Sequence, residues 1–396
     1  MAPWFYNLWM SHIKDQFLLD PDVIFLNHGS FGATPKPVME AYQNWQVRLE
    51  NQPVQFLGRE INELLLEARQ ELGSYLNAAA DDLVFIPNAT VGANIVARSL
   101  HLTPDDDVLT TNHEYGACDY AWEFVCQKRG VCYIRQQISL PTHTEEQLIE
   151  QFWEGVSPRT KVIYLSHITS PTALRLPIKQ ICQRARERGI LTVVDAAHSP
   201  GQIPVDLQDI GADVVFGNCH KWMMSPKGAG FLYVRREIQP VVEPLIVSWG
   251  YHANAEIATG SQFVDYLQWT GTHDPAAYLS VPAAIQFMQE NAWDKVQQVC
   301  HGLLRNAIDR ICELVKIDLL YPSDSDLYAQ MGIAPIPNSE LGLLKRRLYD
   351  EYKVEVPLIQ WEDKQFVRIS VQGYNTLEDI DILVSALKVL LPEVGI

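Results

Sequence analysis

Over about the first 250 residues the chain alternates short apolar runs with amphipathic stretches. Apolar runs at 84–86, 108–109, 161–165, 190–195, 213–216 and 230–234 have the density of strands buried on both faces. Between them, helical periodicity marks 90–100, 117–128 and 178–188, the last closed by Gly189 as a helix C-cap. Strands alternating with helices predict a mostly parallel sheet covered on both sides, an α/β fold. After about residue 269 the pattern turns helix-rich, with strands expected near 354–358 and 366–370. That change predicts a smaller α+β domain. The chain is thus expected to divide into an N-terminal arm or helix (1–20), a large domain (21–268) and a small C-terminal domain (269–396).

Composition mainly excludes. Hydrophobic residues make up 47% and charged residues 20%, the balance of a folded globular chain rather than a disordered or fibrous one. A formal net charge of −17 disfavours nucleic acid and anionic membrane surfaces as partners, yet leaves room for a small anion in a locally positive pocket. No apolar run approaches the roughly 18 residues of a membrane-spanning helix. The segment from Met1 to Met10 is apolar, short and without a basic leader. It reads as an arm that packs on something, a partner subunit included, rather than as a signal peptide. Seven scattered cysteines with no C-x-x-C spacing fit reduced thiols in the cytoplasm, and no metal site is expected.

Candidate chemistry gathers around two buried runs. Val193-Val194-Asp195-Ala196-Ala197-His198 puts an aspartate at the carboxyl end of a strand, where open α/β sheets bind ligands. Asn218-Cys219-His220-Lys221-Trp222 follows another such run and can bring a lysine to the same crevice. That lysine can form a Schiff base with a carbonyl, and the aspartate can keep a pyridine nitrogen protonated so that the ring draws electrons. Together they are the pair that pyridoxal 5′-phosphate requires. Singly, such an aspartate is more often a helix cap and such a lysine a surface group. Pro87-Asn88-Ala89-Thr90 lies between a strand and a helix, where amides, helix dipole and the Thr90 hydroxyl can receive a phosphate. An ordinary N-cap has the same form. The nucleotide-binding patterns G-x-G-x-x-G and G-x-x-x-x-G-K-[ST] are absent.

Further motifs join these: Phe25-Leu26-Asn27-His28-Gly29-Ser30-Phe31-Gly32, His113-Glu114-Tyr115-Gly116-Ala117, Trp269-Thr270-Gly271-Thr272-His273-Asp274-Pro275 and Val367-Arg368-Ile369-Ser370. With them, nearly the whole chain resembles the class V aminotransferase group of fold-type I pyridoxal-phosphate enzymes, and within it isopenicillin N epimerase-like proteins. The resemblance implies that Lys221 carries the cofactor and moves protons, that Asp195 pairs with the pyridine nitrogen, and that His198 approaches the phenolic oxygen. Ala197 would lie against the ring, and Tyr115 would stack on its other face unless it is a core or interface tyrosine. Ala89, Thr90, Asn218 and His220 would hold the phosphate. Gly271 and Thr272 match a segment that reaches the phosphate from the neighbouring subunit, which implies a homodimer with shared active sites. Arg368 matches the arginine that grips the substrate carboxylate, with a surface strand residue as the alternative. Asn27 and His28 fall on the substrate side by motif position.

Two departures bear on the reaction. Residues 352–358 contain no cysteine, so the persulfide relay of the group's cysteine desulfurases is not expected. Ser166-His167 stands where relatives often carry Asn, so His167 either takes the phenolic-oxygen contact or is a satisfied core histidine. The expected function is that of a pyridoxal-phosphate enzyme acting at Cα of an amino acid, isopenicillin N epimerase-like. The alternatives are a C–S or other β-lyase on cysteine or cystine, an aminotransferase, and a non-catalytic cofactor-binding scaffold. An epimerase needs a second acid–base group facing Lys221 across Cα, for which His28, His113 and Tyr115 are candidates.

Overall fold

The computed structural model describes residues 12–254 and 257–395, so the apolar segment Met1 to Met10 lies outside the described residues. After the short strand β1 (Ile24–Phe25), seven strands build the large sheet. They are β2 (Leu83–Ile86), β3 (Asp107–Thr111), β4 (Cys132–Gln136), β5 (Thr160–Ser166), β6 (Leu191–Asp195), β7 (Val214–Asn218) and β8 (Gly230–Val234). Their order is β2-β8-β7-β6-β5-β3-β4. All pairings are parallel except the two that β8 makes.

Alternation along these strands sorts their side chains into two cores. Tyr164, Val193, Val214 and Phe216 pack with the helices Ala89–Ser99 and Gly116–Arg129 on one face. Ile163, Leu165, Val194 and Val215 pack with the helices Ile61–Leu76 and Ile178–Glu187 on the other. Burial on both faces is why the runs read as continuous rather than alternating. It also decides where each strand-end residue points. Asp195 falls on the side of Tyr164 and Val193, whereas His167, one position past Ser166, falls on the opposite side.

A second, antiparallel sheet joins β9 (Met331–Ile336), β11 (Leu358–Trp361) and β12 (Lys364–Ser370) in the order β11-β12-β9. The helices Trp293–Val315 and Leu377–Val394 pack beside it, the latter opened by a capping box between Thr376 and Asp379. The strand expected over 354–358 is two pieces, because Pro357 interrupts the ladder: β10 (Val354–Glu355) pairs with β1, and β11 begins after the proline. The N-terminal segment therefore reaches across to the C-terminal region. Asn27 bridges to Ser370, and the Ser370 amide donates to the Leu26 carbonyl at 2.9 Å. The turn that follows presses on the lysine loop. Gly32 has φ +69°, and a Cβ there would sit 2.2 Å from the His220 carbonyl oxygen, so only glycine fits.

Candidate active site

Asp195 ends β6 in the middle of the large sheet, and the Ala197 amide donates to its Oδ1 at 2.8 Å. Its Oδ2 lies at a long 3.5 Å from the Tyr164 hydroxyl, and the Cys118 thiol also bonds this carboxylate. Burial pushes its carboxyl above the usual range, against the pull of the Ala197 amide and the Lys221 charge. A protonated ring nitrogen would give this carboxylate a further, charge-assisted donor.

Lys221 follows β7 in a turn held by the Cys219 and His220 amides, which both donate to the Ala229 carbonyl at 3.0 and 3.2 Å. Its Nζ lies 3.1 Å from His198 Nε2 and 5.8 Å from the centre of the Tyr115 ring. The indole N–H of Trp222 donates to His198 Nδ1 at 3.2 Å. Indole has no acceptor, so neutral His198 must carry its proton on Nε2 and present it to the lysine nitrogen. That nitrogen accepts it when the lysine is neutral. Burial agrees, lowering Lys221 from 10.5 to about 8, with Asp195 opposing and Arg368 adding to the shift. Ala197 is buried beside this group, while Tyr115 is 44% exposed at its mouth.

At the phosphate end, Asn88 caps the helix Ala89–Ser99 by accepting from the Val91 amide at 3.1 Å. Asn218 Oδ1 accepts from the Ala89 amide at 2.8 Å, which ties β7 to that helix start. The Thr90 amide and hydroxyl have no hydrogen-bond partner among the described residues. His220 Nδ1 donates to the Ala229 carbonyl at 2.8 Å, and burial lowers its pKa to about 4. Its Nε2 has no hydrogen-bond partner among the described residues, so an arriving dianion would favour the protonated ring and gain a donor.

Arg368 sits on β12 and is 5% exposed. Its Nη1 donates to the Ser170 carbonyl at 2.6 Å and to the Ser170 hydroxyl at 3.1 Å, and its Nη2 donates to the Ser30 hydroxyl at 3.1 Å. Its Nε is buried with no partner. No carboxylate answers this cation among the described residues. Burial lowers it to about 10. Asn27 acts one step back: its Oδ1 accepts from the Ser30 hydroxyl at 2.5 Å, and its Nδ2 donates to Glu355 at 3.3 Å.

Other named residues are committed elsewhere. His28 Nε2 donates to the Lys221 carbonyl at 3.1 Å and its Nδ1 accepts from the Tyr374 hydroxyl at 2.9 Å, with burial lowering its pKa to about 3. It holds the lysine loop. His113 is spent between Thr172 at 2.7 Å and the Ile138 carbonyl at 2.8 Å. His167 turns to the opposite face of the sheet and lines a separate cavity, away from the Lys221 cluster. Gly271 and Thr272 form a surface turn, closed by His273 Nδ1 on the Gly271 carbonyl at 2.8 Å, and among the described residues no bond joins them to the Lys221 cluster.

The chain matches the family model of class V aminotransferases over residues 24–383. The chain belongs to the class V aminotransferase family. An isopenicillin N epimerase of Amycolatopsis lactamdurans is 31% identical, with 96% of this chain and 98% of that protein covered. A probable chloroplastic L-cysteine desulfhydrase of Arabidopsis thaliana is 28% identical, with 93% of this chain and 83% of that protein covered. Among solved structures, a cysteine desulfurase from Thermococcus onnurineus NA1 superposes with a TM-score of 0.79 at 19% identity, covering 97% and 98% of the two chains. The cystine C–S lyase C-DES, in complex with cysteine persulfide, gives 0.78 at 20% identity, covering 95% and 99%.

As a class V aminotransferase the chain is a pyridoxal-phosphate-dependent enzyme, and its residues fit that cofactor. A lysine with a lowered pKa, a buried carboxylate and unused donors at a helix start lie around one crevice. Ser30, Ser170, Trp222 and Glu114 escaped the sequence reading as contributors. Ser30 and Trp222 stood inside quoted motifs, so their position was visible but not their bonds. Ser170 carried no signal, because its main contribution is a backbone carbonyl. Glu114 accepts from Thr111 at 2.7 Å and from the Ser166 hydroxyl at 2.6 Å beneath Asp195, and burial raises it to about 8.

Proposed function

We propose that this enzyme acts at Cα of an α-amino acid whose carboxylate is held by Arg368. The observation that carries the reading is the Arg368 guanidinium, buried, without a counter-ion and with Nε unpartnered, within electrostatic reach of Lys221. A buried unpaired charge is costly, and a substrate carboxylate would offset it through charge-assisted bonds. The cofactor, when bound, supplies an electron-withdrawing ring that makes the Cα proton removable. Lys221, neutral from about pH 8 upward, is the base that takes this proton. His198 offers its Nε2 proton to the phenolic oxygen, Asp195 holds the ring nitrogen, and Ala197 and Tyr115 flank the ring. Thr90, Ala89, Asn218 and His220 form the phosphate end.

Proton return decides the reaction. The relatives at 31% identity favour an epimerase-like outcome. With His28 and His113 engaged in structural bonds, Tyr115 is the remaining candidate of the three for the far face. A second reading, β-elimination or transamination by Lys221 alone, is favoured by that same shortage of free acid–base groups. The absence of cysteine at 352–358 sets persulfide relay aside in either case.

The reading includes a homodimer. Ile246, Val247 and Trp249 form an exposed apolar loop, Trp249 being 76% exposed, and the Gly271-Thr272 turn is unused by its own chain's site. Arm, large domain and small domain, divided at 20 and 268, are kept as its organisation. A cytoplasmic location is proposed on the seven free cysteines. No helix among the described residues is long and apolar enough to cross a membrane. The test is incubation with an amino-acid panel in deuterated water, read by NMR. Inversion with Cα exchange supports the epimerase reading, pyruvate with ammonia supports β-elimination, and no exchange in any amino acid contradicts the proposal.

A further inference from the structure

Across the sheet from Lys221 lies a cavity of about 670 Å³ that shares no residue with the catalytic cluster. Its walls come from the loop after β5, the start of the helix Ile178–Glu187 and the start of the helix Trp293–Val315. The volume falls within the range of small-molecule sites.

Three observations place a cation and polar N–H groups at one end of the cavity. The ten-residue helix Ile178–Glu187 begins at Pro177, whose side chain cannot cap it, and Ile178, Lys179 and Gln180 of its first turn line the cavity. Helix starts of this kind attract anions through free amides and the dipole. His167, 6% exposed, also lines it, and its buried Nδ1 has no hydrogen-bond partner among the described residues. Arg175 stands close enough to lower the basicity of His167, and its guanidinium has no ion pair among the described residues. The buried indole N–H of Trp293, on the far wall, is likewise without a partner.

Of the four acids on the rim, Asp209 has a cationic partner. Asp209 is paired with Lys179 at 2.5 Å, Asp206 accepts from Asn77 at 2.9 Å, and Glu145 accepts from Gln180 at 3.2 Å. Asp206 and Glu145 keep their charges, since amide donors do not neutralise a carboxylate, and Asp294 stands at the opposite helix start. Leu176, Ile203, Val205 and Met288 supply an apolar wall.

We infer that this cavity is a second, non-catalytic site for a small organic anion. Its phosphate or carboxylate group meets Arg175, His167 and the uncapped helix start, while its apolar body rests toward Trp293 and Met288. The site is wired to the catalytic one through backbone: the His167 amide donates to the Asp195 carbonyl at 2.8 Å, and the His167 carbonyl accepts from Leu176 at 2.9 Å.

Calorimetric titration of the cofactor-loaded enzyme with phenyl phosphate and, separately, phenylacetate tests the inference. Loading fills the catalytic phosphate position beforehand. One site per chain is expected for at least one probe, weakened tenfold or more by Arg175→Ala with cofactor content unchanged. Arg175→Gln, which keeps the aliphatic stem of a half-buried side chain, is measured beside it to the same expectation. Binding of phenyl phosphate alone assigns a phosphate ligand, of phenylacetate alone a carboxylate, and of both an oxyanion of either kind. Failure of both probes to bind the unaltered enzyme overturns the inference, as does equal affinity in both Arg175 variants.

Discussion

Asp195 and Arg368 are both charged, both buried and both within electrostatic reach of Lys221, yet they are built in opposite ways. Asp195 ends a central strand with parallel neighbours on each side, and its nearest donor is the amide two residues further along. One element places it. Arg368 stands on the small antiparallel sheet, and its guanidinium is fixed by Ser30 from the N-terminal turn and Ser170 from the loop after β5. Three segments distant in sequence place it. The ring-nitrogen end is therefore rigid before any ligand arrives, while the carboxylate end is set by how the two sheets and the N-terminal turn meet. Recognition of a particular substrate belongs at the second end.

The largest expected effect comes from the rigid end. Asp195→Asn removes the charge opposite the ring nitrogen, and turnover should fall by roughly 10²- to 10³-fold for every amine substrate alike. Steady-state rates with an amino acid and with the matching decarboxylated amine check this. A loss confined to amino acids would erase the distinction between the two ends.

Arg368→Ala comes next. Losing a charge-assisted contact of about 2–3 kcal/mol should lower kcat/KM for amino acids roughly 30- to 150-fold. The cofactor's visible spectrum should stay nearly unchanged. Loss of the cofactor in this variant would make Arg368 part of the fold rather than of substrate binding.

The contrast also explains what the sequence could reveal. Val193 to Asp195 and Val214 to Phe216 are apolar throughout because helices cover both faces, so periodicity alone located the strand ends and their Asp195 and Lys221. β4 was not anticipated: at the sheet edge Cys132 and Arg135 are exposed, and Arg135 is held by Asp119 at 2.8 Å. β9 was hidden by Gly332 and Pro335, residues poorly suited to strands. Arg368 was legible as a motif, but its setting was not, since Ser30 and Ser170 approach it only after the chain has folded. Sequence position could not separate the roles of the two histidines either. His28 and His198 both stand in quoted motifs, and only their partners separate a loop clamp from a proton donor.

A smaller effect probes the cage of Arg368. Ser30→Ala deletes one donor–acceptor link and should raise KM for amino acids about fivefold, near 1 kcal/mol. Ser170→Ala should do less, because the carbonyl contact at 2.6 Å survives it. Equal effects would mean that the hydroxyls, not the backbone, set the guanidinium.

The smallest effect is a pH midpoint. Lys221 is lowered from 10.5 to about 8, so formation of the borohydride-reducible link in apoprotein should level off above about pH 8. An unperturbed lysine would keep gaining rate toward 10.5. The sign for stability follows: between about 10.5 and about 8 the unfolded chain binds a proton that folded Lys221 does not, so its contribution is lost as pH falls through that window. Trp222→Phe frees the His198 tautomer and should move this midpoint, whereas a purely structural Trp222 would leave it in place.

The central claim is that Lys221 removes a Cα proton from an amino acid that Arg368 holds by its carboxylate. Proton NMR in deuterated water measures this directly, as Cα exchange in an amino acid and in its decarboxylated amine, for the unaltered enzyme and for Arg368→Ala. The account predicts that the unaltered enzyme exchanges the amino acid far faster than the amine, and that Arg368→Ala loses most of that preference while exchange in the amine is little changed. An unaltered preference in Arg368→Ala would contradict it.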